Sequence, residues 1–131
     1  MISKLKVPYL FLNLAIYAGF AAVFLATPVR FADMIGIQLQ SSAALADFRA
    51  VYGGLCLGIS LVLIAGIASG GYRRGAILLA TACGGGLLLG RLITLLFDGP
   101  GNLYIYVSMA SEVFALGAGL VLLRAEEYEK G

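Results

Sequence analysis

Four apolar stretches dominate this chain, and each is long enough to cross a bilayer. They cover residues 7–27, 42–69, 76–97 and 103–123. A helix needs about 20 predominantly apolar residues to span the hydrocarbon core. No water is available there to satisfy peptide groups, so each spanning backbone must close its own hydrogen bonds. Of the 131 residues, 61% are hydrophobic and 12% are charged, whereas a soluble domain is roughly 45–50% apolar. A chain this short cannot bury that excess inside itself, so lipid must cover it. The expected fold is all-α: a four-helix transmembrane bundle forming one integral membrane domain over residues 1–131.

The segments between these stretches carry recognisable punctuation. Lys4 and Lys6 head the chain, and the first stretch is apolar apart from Asn13. A secretory signal would have a shorter core of about 7–15 residues and a small-residue cleavage site. Here the run is longer and ends Phe24-Leu25-Ala26-Thr27, so a retained first helix is expected. Pro28 disfavours helix at Thr27 but suits the first turn of a new helix, which Thr27 is placed to cap. Phe31, Met34 and Ile35 then share a face away from Arg30 and Asp33, and Gly36 offers a stop. Residues 28–35 therefore read as a short amphipathic helix at the membrane surface, or as an ordinary loop. Ser41 or Ser42 caps the second long helix. That helix exceeds the spanning length, so it tilts or projects, and its projecting start holds Asp47 and Arg49. Gly70-Gly71-Tyr72-Arg73-Arg74-Gly75 and Asp98-Gly99-Pro100-Gly101-Asn102 read as turns, and residues 124–131 as a charged tail.

Four spans put both termini on one side. Lys4, Lys6, Arg73, Arg74, Arg124 and Lys130 collect there, against Arg30 on the other side and Arg49 and Arg91 near or within the membrane. The positive-inside rule then predicts that both termini are cytoplasmic.

Charges inside such a bundle are the features that call for an explanation. They are costly in hydrocarbon, face the bundle interior and pair, or else serve a function. Arg91 precedes Asp98 by seven residues, about 10 Å along a helix, and Glu112 follows Leu103 by nine, about 14 Å. With Arg49 near the same end, the three are expected to converge in the outer half of the bundle. The candidate polar network or ligand site is Asp47, Arg49, Tyr52, Arg91, Asp98 and Glu112. Helical spacing groups Arg49 with Tyr52, Gly53 and Cys56; Arg91 with Thr94, Leu95 and Asp98; and Glu112 with Ser108, Ser111 and Ala115. Either the acids and arginines pair internally and only fix helix register, or one arginine is left for an anionic head group, a quinone or a carboxylate.

Small residues form stripes. Gly54 and Gly58, then Gly86 and Gly90, each make a G-x-x-x-G pattern, and Ser111, Ala115 and Gly119 continue a stripe on the fourth helix. Such stripes let backbones approach, within one bundle or across a homo-oligomer or partner interface. Gly84-Gly85-Gly86 has no phosphate-loop ending and reads as a kink or a close-packing point.

Other chemistries find little support. His is absent, removing the commonest metal ligand and general base. Cys56 and Cys83 are lone thiols in apolar segments and read as small core residues, so no metal site is expected. A net charge of +2 without a Lys/Arg-rich run argues against a nucleic-acid partner. No nucleophile elbow is present, and Tyr104 and Tyr106 read as an interfacial belt.

The strings Asp47-x-Arg49-Ala50-x-Tyr52-Gly53-Gly54 followed by Gly58, Gly90-Arg91-Leu92 with Asp98-Gly99, and Glu112 resemble a bacterial family of four-helix membrane proteins known as domain of unknown function 4345. The likeness runs from Pro28 to the fourth helix. It implies a small protein of the bacterial inner membrane and carries over no catalytic residue, ligand or cofactor. The architecture is also broadly similar to DoxX-like bundles, a likeness of fold alone.

The leading expectation is a non-enzymatic accessory or interaction subunit with a buried Arg/Glu pocket and no cofactor. The alternative is a binder or carrier of a lipid-like or quinone-like molecule, which predicts an open cavity lined by Arg49, Tyr52, Arg91 and Glu112. An exporter of the small multidrug-resistance type would carry its acid in the first helix, where residues 7–27 hold none. A lipid-directed enzyme would have to rely on Glu112 with a tyrosine.

Overall fold

The computed structural model describes residues 2–128, with side chains through residue 125. Lys130, counted above toward the basic tail, lies outside the described residues. A 3₁₀ turn at Ile2–Leu5 leads into α1 (Lys6–Ala26), followed by α2 (Pro28–Met34) and α3 (Ser42–Phe48). A π-helical segment, Arg49–Gly54, joins α3 to α4 (Leu55–Ala68), and α5 (Gly70–Phe97) and α6 (Leu103–Tyr128) complete the order. No strand occurs among the described residues. Because the π segment makes Ser42–Ala68 one continuous rod, four rods are long and apolar enough to cross a membrane. Large side chains such as Leu96, Phe97 and Leu103 stand bare on their outer faces, as lipid-solvated helices require.

The helix ends follow local chemistry. At the end of α2 the Ile37 N–H donates to the Ala32 carbonyl at 2.8 Å and the Gly36 N–H to Asp33 at 3.1 Å. This is a Schellman arrangement, and it needs the left-handed φ of +82° that Gly36 adopts. Gly99, at φ +114°, closes α5 differently: Pro100 has no N–H for the outer bond, and the Gly99 N–H itself donates to the Thr94 carbonyl at 3.2 Å. The Ser41 hydroxyl caps α3 by accepting from the Ala44 N–H at 3.1 Å. Thr27 does not cap α2. Its hydroxyl instead donates back to the Val23 carbonyl at 3.1 Å, which also accepts the Thr27 N–H at 2.9 Å.

Two boundaries depart from expectation. The third spanning helix starts at Gly70 instead of residue 76, leaving Ser69 as the sole link between α4 and α5. The reason is Arg73: its Nε donates to the Gly66 carbonyl at 3.1 Å and its Nη2 to Ile67 at 3.2 Å. The guanidinium thus satisfies the exposed carbonyl end of α4 from the first turn of α5. The fourth helix runs to Tyr128, so the start of the expected tail is helical.

Neighbouring rods pack in chain order, α5 most extensively on α6, while α1 and α6 meet only lightly. Two cores result. One, toward the termini, contains Tyr9, Leu10, Leu63, Ile77 and Leu122. The other lies at the opposite end, where Phe24, Ala32 and Phe48 gather Phe20, Phe31 and the chain after α2. The second core explains α2: Phe31 turns inward, edge-on to Phe24 at 4.8 Å, while Met34 stays exposed.

Candidate functional site

Between the two cores lies a polar centre, and close helix packing creates it. A Cβ on Gly84 would sit 2.9 Å from the Ala115 Cβ and 3.2 Å from the Glu112 carbonyl oxygen. A Cβ on Gly119 would run into Thr81. The backbones of α5 and α6 therefore touch at these points. Side chains lean toward the N-terminus of their own helix. In this antiparallel pair Arg91 consequently leans away from the 98–102 turn and Glu112 leans toward it, so the two meet.

Their contact is short. Arg91 Nε lies 2.8 Å from Glu112 Oε1 and 3.1 Å from Oε2. The Glu112 side chain is only 7% exposed and that of Arg91 21%. One N–H therefore serves both carboxylate oxygens. Among the described residues, neither Arg91 Nη group donates to a protein acceptor. The guanidinium also lies 5.7 Å from the centre of the Tyr104 ring, within cation–π range.

The pair forms part of the wall of a cavity of about 120 Å³. Asn13, Tyr17, Tyr52, Ser108 and Ser111 add polar wall, and Phe20, Phe24 and Tyr104 line the end away from the termini. The polar residues are held by their own helices. The buried Asn13 amide donates to the Tyr9 carbonyl at 2.9 Å, and the Ser111 hydroxyl to Ser108 at 2.7 Å. Below them Tyr9 donates to the Ala115 carbonyl at 2.7 Å, tying α1 to α6. No buried side-chain nitrogen or oxygen lacks a partner among the described residues. The cavity wall is thus mostly apolar, with one internally neutralised ion pair and a few polar side chains set into it.

Of the six candidate residues, Tyr52, Arg91 and Glu112 come together at this cavity. Asp47, Arg49 and Asp98 do not; all three are exposed and none lines it. Arg49 therefore does not converge with Arg91 and Glu112 as expected; it stands exposed at the first position of a π-helical segment. That segment, Arg49–Gly54, turns wider than an α-helix and so shifts the face expected from α-helical spacing.

The glycines also redistribute. Gly53, Gly66, Gly84 and Gly119 make the close contacts. A Cβ on Gly58, Gly86 or Gly90 would meet nothing within 4 Å, and one on Gly54 only its own rod's Arg49 carbonyl. Helical spacing places Ser108 on the Glu112 face; the residues that charge-based reading missed are Asn13 and Tyr17, together with Tyr104, which faces the cavity while Tyr106 faces outward. The available signal was Asn13, the one polar amide in the first apolar stretch. Cys56 and Cys83 are half-buried free thiols, and no group of three or more potential metal ligands occurs among the described residues.

Neither the curated proteins nor the solved structures contain a match to this chain. The family model described as domain of unknown function DUF4345 matches residues 8–123, a span that covers the four apolar helices and the whole of the cavity. The chain belongs to the DUF4345 family.

Proposed function

We infer that this multi-pass membrane protein binds a small lipid-soluble molecule in the cavity between its two cores. The observation that supports this reading is the Arg91–Glu112 pair, which leaves both Arg91 Nη groups without protein acceptors beside an open space. A pair serving register alone has no need of a cavity beside it. Intramembrane ionisable residues facing such a space are functional candidates by default. Asp47, Arg49 and Asp98 take no part in binding on this reading. The test is native mass spectrometry after gentle extraction from the source membrane. A bound small molecule that Arg91→Ala releases is the expected result; a bare chain in repeated preparations overturns it.

A second reading, an accessory subunit docking on a partner or on another copy, is favoured by Gly54, Gly58, Gly86 and Gly90. These glycines are exposed and make no packing contact with a neighbouring rod. The same measurement decides, through a second polypeptide travelling with the chain. For orientation, the grouping of Lys4, Lys6, Arg73, Arg74 and Arg124 at one end supports cytoplasmic termini in a bacterial inner membrane, with the chain acting as one domain.

A further inference from the structure

The cavity does not stand alone. A shallow groove of about 490 Å³ runs between α1 and α6 at the same end, and it shares Ile16, Phe20, Tyr104, Ser108 and Ser111 with the cavity. Its own walls are Gly19, Val23, Phe31, Met34 and Val107, of which Met34 and Val107 are strongly exposed apolar side chains. The groove exists because α1 and α6 meet only lightly and because Gly19 contributes no side chain: a Cβ there would meet nothing within 4 Å. The cavity and the apolar groove therefore adjoin along these shared residues, on the side of the bundle where α1 and α6 meet.

Resting on the reading that the cavity binds a ligand, we propose that the ligand is an uncharged amphiphile with oxygen acceptors on its head and one apolar chain. The head occupies the cavity against Arg91, and the chain lies in the α1–α6 groove. Three observations specify this chemistry. The Arg91 Nη groups are hydrogen-bond donors without protein partners, so the head must accept. Glu112 already neutralises Arg91 at 2.8 Å, so an anionic head would bring an uncompensated negative charge beside a buried carboxylate, whereas a carbonyl or hydroxyl oxygen would not. The cavity, at about 120 Å³, falls below the roughly 300–1,000 Å³ of ordinary ligand pockets. It holds a head only, and the remainder must leave through the groove. A benzoquinone carrying an alkyl chain meets all three conditions.

The test is a native mass spectrometry titration of the purified full chain in detergent with decylubiquinone, with its tailless benzoquinone head, and with phosphatidylglycerol. Gly19→Leu fills the groove without a backbone clash, and Gly117→Leu does the same in a separate groove between α1 and α6 nearer the termini, where a Cβ also meets nothing. The expected result is decylubiquinone binding that Gly19→Leu weakens at least tenfold and Gly117→Leu leaves unchanged, with the tailless head indifferent to both. Val107→Phe on the facing wall repeats the test if Gly19→Leu does not fold. Preference for phosphatidylglycerol overturns the uncharged head, and sensitivity to Gly117→Leu alone overturns the assigned groove. If a co-purifying ligand is found but decylubiquinone does not bind, the ligand class is wrong while the binding reading survives. If the source membrane yields no ligand and no probe binds, both fall.

Discussion

Replacing Glu112 by glutamine asks what the buried pair is worth. The substitution keeps the shape and one acceptor oxygen but strands the Arg91 charge. Breaking a fully buried pair by removing one partner costs about 3–5 kcal/mol. Here three features reduce that cost. The Arg91 side chain is 21% exposed, so part of the charge is already solvated through the opening. Glutamine also still accepts from Nε, retaining a charged-donor bond of about 1.5–3 kcal/mol in place of the ion pair. The Tyr104 ring at 5.7 Å offers about 0.5–2 kcal/mol more to the stranded cation. The expected loss is therefore below that range, about 1–2 kcal/mol. Arg91→Met with Glu112→Leu removes both charges and should recover most of it, since apolar replacement of a whole buried pair is often neutral. Reversible unfolding by SDS in dodecylmaltoside micelles, followed by helical circular dichroism, measures each variant. An unchanged midpoint for Glu112→Gln, or a double variant as unstable as the two single losses added, would refute the buried-pair reasoning. If the double variant is stable yet no longer retains the bound small molecule, stability and binding are separated at one site.

The helix contacts make two further predictions. Gly84→Ala should cost about 1–2 kcal/mol in the same assay, because overpacking against Ala115 and the Glu112 carbonyl exceeds the gain of about 1 kcal/mol in helix propensity; Gly86→Ala, with nothing in reach, should be neutral or stabilising. Arg73→Ala should cost about 1–2 kcal/mol by freeing the Gly66 and Ile67 carbonyls, and hydrogen exchange should rise at the start of α5, around Ser69–Tyr72.

The spanning rods were legible because lipid imposes a length and a composition that sequence displays directly. The ends marked by Gly36 and Gly99 were legible because a left-handed residue is close to a glycine prerogative. The start of α5 was not. Gly70-Gly71 followed by two arginines is locally a turn, and only the tertiary bonds of Arg73 to the end of α4 turn it into helix. The site was legible in part. Arg91 and Glu112 stood out as charges deep within apolar runs, and their depths along α5 and α6 were computable. Which arginine would meet Glu112 depended on how the second rod is rotated, which a π segment alters without any marker in hydropathy. Ser108 was legible from its helical spacing to Glu112 and Asn13 as the one amide of the first stretch, although that amide is spent on the Tyr9 carbonyl of its own helix; nothing in the spacing of Tyr17 sets it apart from an ordinary packing residue.

The π segment gives the motif from Asp47 to Gly54 a different meaning from the one its charges suggest. In that segment the Leu55 N–H donates to the Ala50 carbonyl, five residues back, and π turns of this kind concentrate at functional sites. Phe48 and Tyr52, four residues apart, stack at 4.6 Å, and both face Phe24 on α1, at 5.5 Å and 5.3 Å. Gly53 then lets the rod approach α1 closely, since a Cβ there would lie 2.7 Å from the Leu25 Cδ2. Asp47 and Arg49 fall on the outside. The motif is thus split by its own backbone. Its aromatic and glycine half presses the second rod onto α1 and puts the Tyr52 ring at the cavity, while its charged half is left at the surface. A pair of opposite charges two residues apart drew attention to the right stretch for the wrong reason: Tyr52 and Gly53 connect that stretch to the Arg91–Glu112 site, through the shape they give the cavity wall and not through charge.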